Sequence, residues 1–375
     1  MRIVVAMDSF KGSLTAVKAC EIVARSLRQL VREAEIVVKP MADGGEGTAR
    51  AMLAAGNGQW IERTVTGPLP DMQAHAGFAW FEPEKMAVVE MAAASGLELL
   101  SSQQRNPLET TTYGTGQLIS QAVNHGAERV LLGVGGSATV DGGVGAAMAM
   151  GWKFLTAEGN EAGLGGGNLQ RIDRIIAPAE PMKVTVQVLC DVDNLLCGEH
   201  GAARVYGPQK GATPEIVEIL EAGLSHLAEI VKKQLGCDIN NIPGAGAAGG
   251  LAAGAAAFMG AGLVSGIETV IAWSRLDKFA AGSDWVITGE GRFDRQSLRG
   301  KVVSGVAKVA GKAKAKIAVL AGQVKLKPDE YGEIGIVDAI GCIDDDVDVE
   351  YAMKKSERLL AKAATKFAQK HLLPD

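Results

Sequence analysis

Acid groups, lysines and small hydroxyls recur among glycines at several separated places in this chain. "MDSFKGSL" carries Asp8, Ser9, Lys11 and Ser13, and "KPMADGGEGTA" carries Asp43, Glu46 and Thr48. "RNPLETTTYGTG" adds Arg105 and three consecutive threonines, Thr110 to Thr112. "LLGVGGSATVDGGVGAAMAMG" sets Ser137, Thr139 and Asp141 among Gly133, Gly135, Gly136, Gly142 and Gly143. "VLCDVDN" and "GPQKGA" supply Asp191, Asp193 and Lys210, and "VITGEGRFDRQSLRGK" supplies Gly289, Glu290, Asp294, Ser297 and Lys301. Bare backbone and hydroxyls suit an anion, and lysines neutralise phosphate charge. Two carboxylates separated by two glycines, as at Asp43 and Glu46, would repel unless a divalent cation or a hydroxylated substrate lay between them. Phosphoryl transfer asks for all of these at once: a cation and lysines to hold the moving group, and a carboxylate to receive the acceptor's proton.

Common labels do not fit. The glycine loop from 133 is neither GxGxxG with a later acidic partner nor GxxxxGK[ST], so the dinucleotide fold signature and the P-loop are both excluded. A tight turn demanding glycine explains the same letters and is compatible with an anion loop. Cys190, Cys197 and His200 match no zinc spacing and read as packing residues.

The elements that position these loops follow from periodicity. Strands are expected at 2–7, 35–39, 128–133, 184–190, 285–288, 316–322 and 336–340, and helices at 14–32, after Gly47, at 112–125, after Gly142, at 214–235, 297–311 and 349–371. Several chemistry-bearing loops follow such a strand and precede such a helix, the ligand edge of an open α/β sheet. Between 60 and 91, short runs joined by Gly-Pro and Pro-Glu turns leave no room for crossover helices and indicate antiparallel strands. The apolar stretch Ala245 to Val264 is mostly Ala and Gly and is expected to be one tightly packed soluble helix.

The fold class is therefore α/β: a doubly wound, mostly parallel sheet domain plus a second, inserted α/β domain with some antiparallel strands. The expected division is 1–60 with 284–375 around an insert at 61–283, with the active site in the cleft between them. A chain of 375 residues is long enough for two cores. A net charge of −5 excludes a nucleic-acid surface. Five scattered cysteines without CxxC spacing indicate reduced thiols, and with no signal-peptide pattern they place the protein in the cytoplasm, away from membranes.

The blocks "DSFKGSL", "ADGGEGT", "RNPLETTTYGTG", "GGSATVDGG", "CDVDN", "GPQKGA", "GAGAAGGL" and "TGEGRFDRQSLRGK", in this order from residue 8 to 301, closely resemble the bacterial glycerate kinase family. One departure is Leu195 after Asn194, where the family pattern has Pro. The resemblance implies ATP, Mg2+ and D-glycerate, with transfer to the 2-hydroxyl giving 2-phosphoglycerate. On that basis Asp191 is the leading general base and Asp294 its rival. Arg105 would grip the glycerate carboxylate, with Asp8 and Ser9 also on the substrate. Asp43, Glu46 and Asp141 are expected to contact Mg2+ or hydroxyls, with Asp191 a further metal ligand. Lys11, Lys210 and Lys301 would carry phosphate charge, and Gly135, Gly136, Ser137, Thr139, Gly289 and Glu290 would line the nucleotide phosphates. The competing readings are transfer to the 3-hydroxyl or to another small hydroxy acid, a phosphatase or mutase working through an aspartyl intermediate, and a non-catalytic sugar-acid-binding regulator. Monomer and homodimer both remain compatible with the sequence.

Overall fold

The computed structural model describes residues 1–298, 300–343 and 347–373. Arg299, within the helix expected over 297–311, lies outside the described residues. The chain forms two compact units. The first comprises Met1–Asp43, Arg50–Asn57 and the chain from Ile267 onward; the second comprises Gly44–Ala49 and Gly58–Gly266.

The first unit is built on five parallel strands in the order Ile336–Gly341, Lys316–Ala321, Trp285–Gly289, Arg2–Met7, Glu35–Val38. Counted along this unit the order is 5-4-3-1-2, so its switch point lies between Arg2–Met7 and Trp285–Gly289. Arg2–Met7 and Trp285–Gly289 are buried along nearly their whole length, RIVVAM and WVITG, without polar alternation because helices cover both faces. On one face the helix Ala16–Leu30, capped by the Thr15 hydroxyl accepting from Lys18 N at 3.2 Å, packs with Ser356–His371 over Ile3, Val5, Trp285 and Leu320. On the other, Val302–Ala313 buries Val302, Val303 and Val306.

Residues 267–283 belong to this unit, so the insert ends earlier than the sequence pattern indicated. Packing is the reason. Trp273 Nε1 donates to Met52 O at 3.0 Å, and Ile267 lies where a Cβ on Gly305 would stand, 2.6 Å from its Cγ1.

The second unit is a six-stranded mixed sheet in the order Gly262–Val264, Thr185–Leu189, Arg129–Gly133, Met86–Glu90, Gln73–Phe81, Gln59–Thr66. The last three pair antiparallel, as the turn-rich 60–91 segment implied. Met86–Glu90 also pairs parallel with Arg129–Gly133, which joins that meander to a parallel half. The stretch from Ala245 to Val264 is not one helix. A tight turn at Ala247–Gly250 precedes the helix Leu251–Met259, Gly260 ends it at φ 62, and Gly262–Val264 is an edge strand beside Thr185–Leu189. Close chain crossing imposes this break, because a Cβ on Gly249 would lie 1.9 Å from Thr139 O. The helix Pro214–Leu235 packs Leu220, Leu224 and Leu227 into a second core of this unit with Val140 and Phe154. Among the described residues no helix is long and apolar enough to cross a membrane.

Candidate active site

In the first unit the register delivers the acids. Met7 and Gly289 are partners at the carboxyl ends of adjacent strands, so Asp8 and Glu290 leave the sheet together, with Asp8 N donating to Gly289 O at 2.9 Å. The segment after the neighbouring strand continues the ladder, Met41 N donating to Met7 O at 2.9 Å, and brings Asp43 to the same edge. Burial pushes the Asp8 carboxyl up to about 8, reinforced by the Asp43 and Glu290 charges and opposed by the Ser9 amide bond and by Lys11. Glu290 is raised too, first by burial and then by Asp294 and Asp43, against the Ser297 hydroxyl and Lys301. Its Oε1 is buried without a hydrogen-bond partner.

These groups open onto a cavity of about 460 Å3. Asp8, Ser9, Lys11, Glu290, Asp294 and Lys301 all line it. Lys11 is held at a tight turn in which Phe10 and Leu14 exchange backbone hydrogen bonds and Gly12 takes φ 72. Asp294 closes a local turn: Oδ1 accepts from Gln296 N at 2.9 Å, Oδ2 pairs with Arg292 Nε at 3.2 Å, and its own amide donates to Ser297 Oγ. That turn competes with helix and delays the start of the following helix to Val302. Gly289 is bare because a Cβ there would stand 1.8 Å from Leu320 O, a sheet requirement rather than a phosphate contact.

The second unit answers its glycines differently. A Cβ on Gly133 would lie 2.7 Å from Gly44 O, and one on Gly135 would lie 2.6 Å from Gly45 Cα. What passes closest to this backbone is therefore the chain's own "DGGEG" loop. Glu90 fastens that loop, accepting from Gly47 N at 3.1 Å and from Ala49 N at 2.6 Å across the start of the helix Thr48–Ala55. Glu46 is exposed on it. Gly136 is needed for its backbone, at φ 74.

Asp141 is fully buried, and both its oxygens are committed. Oδ2 accepts from Thr112 N at 2.8 Å, Thr112 Oγ1 at 2.9 Å, Gly145 N at 3.3 Å and Thr111 Oγ1 at 3.5 Å, and Oδ1 accepts from Gly143 N at 3.1 Å. The carboxylate is a brace between the threonine loop and the glycine loop, a geometry that does not suit the metal-ligand role expected of it. Burial raises it, and these donors oppose the rise. Lys210 is 1% exposed and donates to Ser137 Oγ and Thr139 O, both at 2.7 Å. Its ammonium is turned onto the glycine loop instead of outward to a phosphate. Burial lowers it to about 7, with Asp141 acting the other way.

Among the described residues of this unit, Arg105 Nε and Thr139 Oγ1 on the chemistry-bearing loops are buried without partners, as are Gln121 Oε1, Glu221 Oε2 and Asn240 Oδ1 elsewhere. Gly211, at φ 94, lies so close to Arg105 that a Cβ would meet its carbonyl at 2.2 Å, which fixes the backbone of the arginine. Asp191, beyond the strand Thr185–Leu189, is oriented by Ser265 Oγ at 2.7 Å and Gly266 N at 3.1 Å, both donating to Oδ1. Among the described residues no three His, Cys, Asp or Glu side chains form a metal cage.

Sequence reasoning missed Glu90 and Ser265. The single acid ending the buried run "MAVVE" is a signal that could have found Glu90. Ser265 carries none.

The glycerate kinase family model matches residues 3–372. The chain belongs to the glycerate kinase family. It is 43% identical to the glycerate kinase of Halalkalibacterium halodurans over 369 residues, covering 98% of this chain and 97% of that one. With the glycerate 2-kinase of Escherichia coli K12 the identity is 46% over 327 residues, 86% of each chain. The crystal structure of a Salmonella typhimurium LT2 protein considered a glycerate kinase 2 superposes with a TM-score of 0.84 at 38% identity, covering 99% of this chain and 98% of that one. The enzyme is thus a glycerate kinase, a phosphotransferase that uses ATP.

Proposed function

We propose that the enzyme transfers the γ-phosphoryl of ATP to the 2-hydroxyl of D-glycerate, giving 2-phosphoglycerate and ADP. The observation that carries the choice of hydroxyl is the 46% identity to the Escherichia coli glycerate 2-kinase. Asp191 acts as general base toward that hydroxyl. Its Oδ1 is anchored by Ser265 and Gly266, which fixes the direction of the carboxylate. Asp294 is the weaker choice because both of its oxygens already serve the local turn. Arg105 takes the glycerate carboxylate, a role supported by its buried Nε, which lacks an acceptor.

Mg2+ usually keeps several waters and binds through one or two carboxylates plus substrate phosphates, so the lack of a cage among the described residues suits it. Glu290, with its orphaned Oε1, and Asp8 beside it are the groups that fit, and Asp43 adds negative field. When bound, the cation would neutralise charge on the transferring phosphoryl. Lys11 and Lys301 supply positive charge from the chain itself. Lys210 supports the reaction indirectly by holding Ser137 and Thr139 in place.

Enolase tests the product directly, because it consumes 2-phosphoglycerate and not the 3-phospho isomer. Purified enzyme with D-glycerate, ATP and Mg2+ should give an enolase signal without added mutase. A signal that appears only with mutase would move the transfer to the 3-hydroxyl, and ADP release with other hydroxy acids but not glycerate would overturn the substrate. Asp191→Asn should lower kcat by about 10²-fold or more with ATP affinity retained.

A further inference from the structure

The glycine loop that follows Arg129–Gly133 keeps little of itself open to a phosphate. Gly133 and Gly135 face the backbone of Gly44 and Gly45, and the Lys210 ammonium is turned inward onto Ser137 Oγ and Thr139 O. A triphosphate asks for bare backbone and outward-facing cations together, and here both are already engaged.

What the loop still offers is one hydroxyl. Ser137 is half-buried, whereas Thr139, the other hydroxyl of the loop, is fully buried. The backbone around Ser137 is pinned on both sides: Leu97 N donates to Gly136 O at 2.8 Å, Ala138 N to Ser95 O at 2.9 Å, and Thr110 Oγ1 to Ala138 O at 2.9 Å. What stays adjustable is the direction of the O–H bond, and Lys210 sets it. A serine hydroxyl has one proton to give and two lone pairs; Nζ, donating at 2.7 Å, takes a lone pair and repels the proton. The proton must then point away from the ammonium, and among the described residues no protein acceptor receives it. A hydroxyl that accepts from a cation is a stronger donor, so an anionic oxygen is the partner that suits it.

Position chooses between the anions of the reaction. Gly211, the residue after Lys210, lies against the Arg105 carbonyl, so one short segment ties the Ser137 loop to the arginine assigned above to the acid. One hydroxyl with one buried positive charge behind it matches a single carboxylate better than a chain of phosphates.

We propose that Ser137 donates a hydrogen bond from its hydroxyl to the carboxylate of the acceptor acid, and that Lys210 is the positioning residue that aims this hydroxyl. The proposal rests on the kinase reading above and adds to it a second recognition group for the acid, with the residue that orients it. Ser137 thereby moves from the nucleotide, where the resemblance placed it, to the acceptor.

The test is steady-state kinetics on the full chain carrying Ser137→Ala, Lys210→Met or both, with thermal melting to confirm folding. Ser137→Ala should raise KM for D-glycerate by about tenfold or more, with kcat and KM for ATP held within about twofold. Ser137→Thr keeps the hydroxyl and should hold KM for glycerate near wild type; these two variants decide the recognition even where Lys210→Met does not fold. Lys210→Met should raise KM for glycerate in the same direction. In the Ser137→Ala background it should add less than about twofold, because nothing is left to aim. Effects that multiply in full would make Lys210 a brace with no part in recognition. A rise in KM for ATP with glycerate unchanged would return Ser137 to the phosphates, and a loss of kcat with both KM values unchanged would give it to the moving phosphoryl; either overturns the proposal. Wild-type enzyme that releases no ADP with D-glycerate would instead sink the kinase reading itself.

Discussion

Two clusters of charged groups, one in each unit, are in opposite states. In the first, Asp8, Asp43 and Glu290 are crowded at a sheet edge, two of them are pushed toward the neutral form, and one carboxylate oxygen has no partner. In the second, Asp141 and Lys210 are buried more deeply and are tied by protein donors and acceptors. On the function proposed above, the contrast separates residues kept in tension for a ligand from residues spent on holding a loop. Burial alone does not tell them apart; what decides is whether each oxygen and nitrogen already has its partner.

The sharpest break of this comparison is Asp141→Ala. It strands three backbone amides and the Thr112 hydroxyl in the interior, and should cost about 3–5 kcal/mol of stability by denaturant unfolding, enough to leave little folded protein at 37 °C. A loss below about 1 kcal/mol would mean that Asp141 is not the brace described.

Lys210 and Asp8 should show pH dependences of opposite sign. The folded state lowers Lys210 to about 7, so between that value and the unfolded value near 10.5 the unfolded chain binds more protons and stability rises with pH. Wild type minus Lys210→Met should therefore gain about 2 kcal/mol in unfolding free energy from pH 7 to pH 9. A flat difference would mean that the ammonium is not desolvated. Asp8 is raised to about 8 from 3.8, so across that window the folded state binds more protons and stability falls as pH rises. Asp8→Asn removes the penalty and should stabilise the ligand-free protein at pH 8 by about 1–2 kcal/mol while lowering turnover, a trade expected of a functional group and not of a brace. Destabilisation by this variant would place Asp8 with Asp141 and Lys210.

The sequence made the strand-to-loop grammar legible. Asp8, Asp43, Glu290 and Lys301 could be placed at the ligand edge because unbroken apolar runs precede the acids and a helix follows the lysine. The parallel core was legible for the same reason, from strands alternating with helices. Register was not. That Met7 faces Gly289, nearly three hundred residues away, is fixed by packing between distant segments, and only this pairing brings Asp8 beside Glu290. The glycines misled because a residue left bare for a neighbouring backbone and one left bare for a phosphate are the same letter. Gly133 and Gly135 make room for Gly44 and Gly45. Asp141 misled for a related reason: its letter does not say how many donors will surround it.

The central strand of the first unit, Trp285–Gly289, is synthesised only after the whole of the second. On the ribosome, residues up to Gly266 can complete their own sheet while Arg2–Met7 has a neighbour on one flank alone, Glu35–Val38. The amino-terminal strand must therefore wait, apolar on both faces, for a partner that emerges more than two hundred residues later. Until Trp285–Gly289 is made, one flank of Arg2–Met7 lacks the partner it has in the finished sheet, and an unpaired apolar edge of that kind is open to wrong pairing.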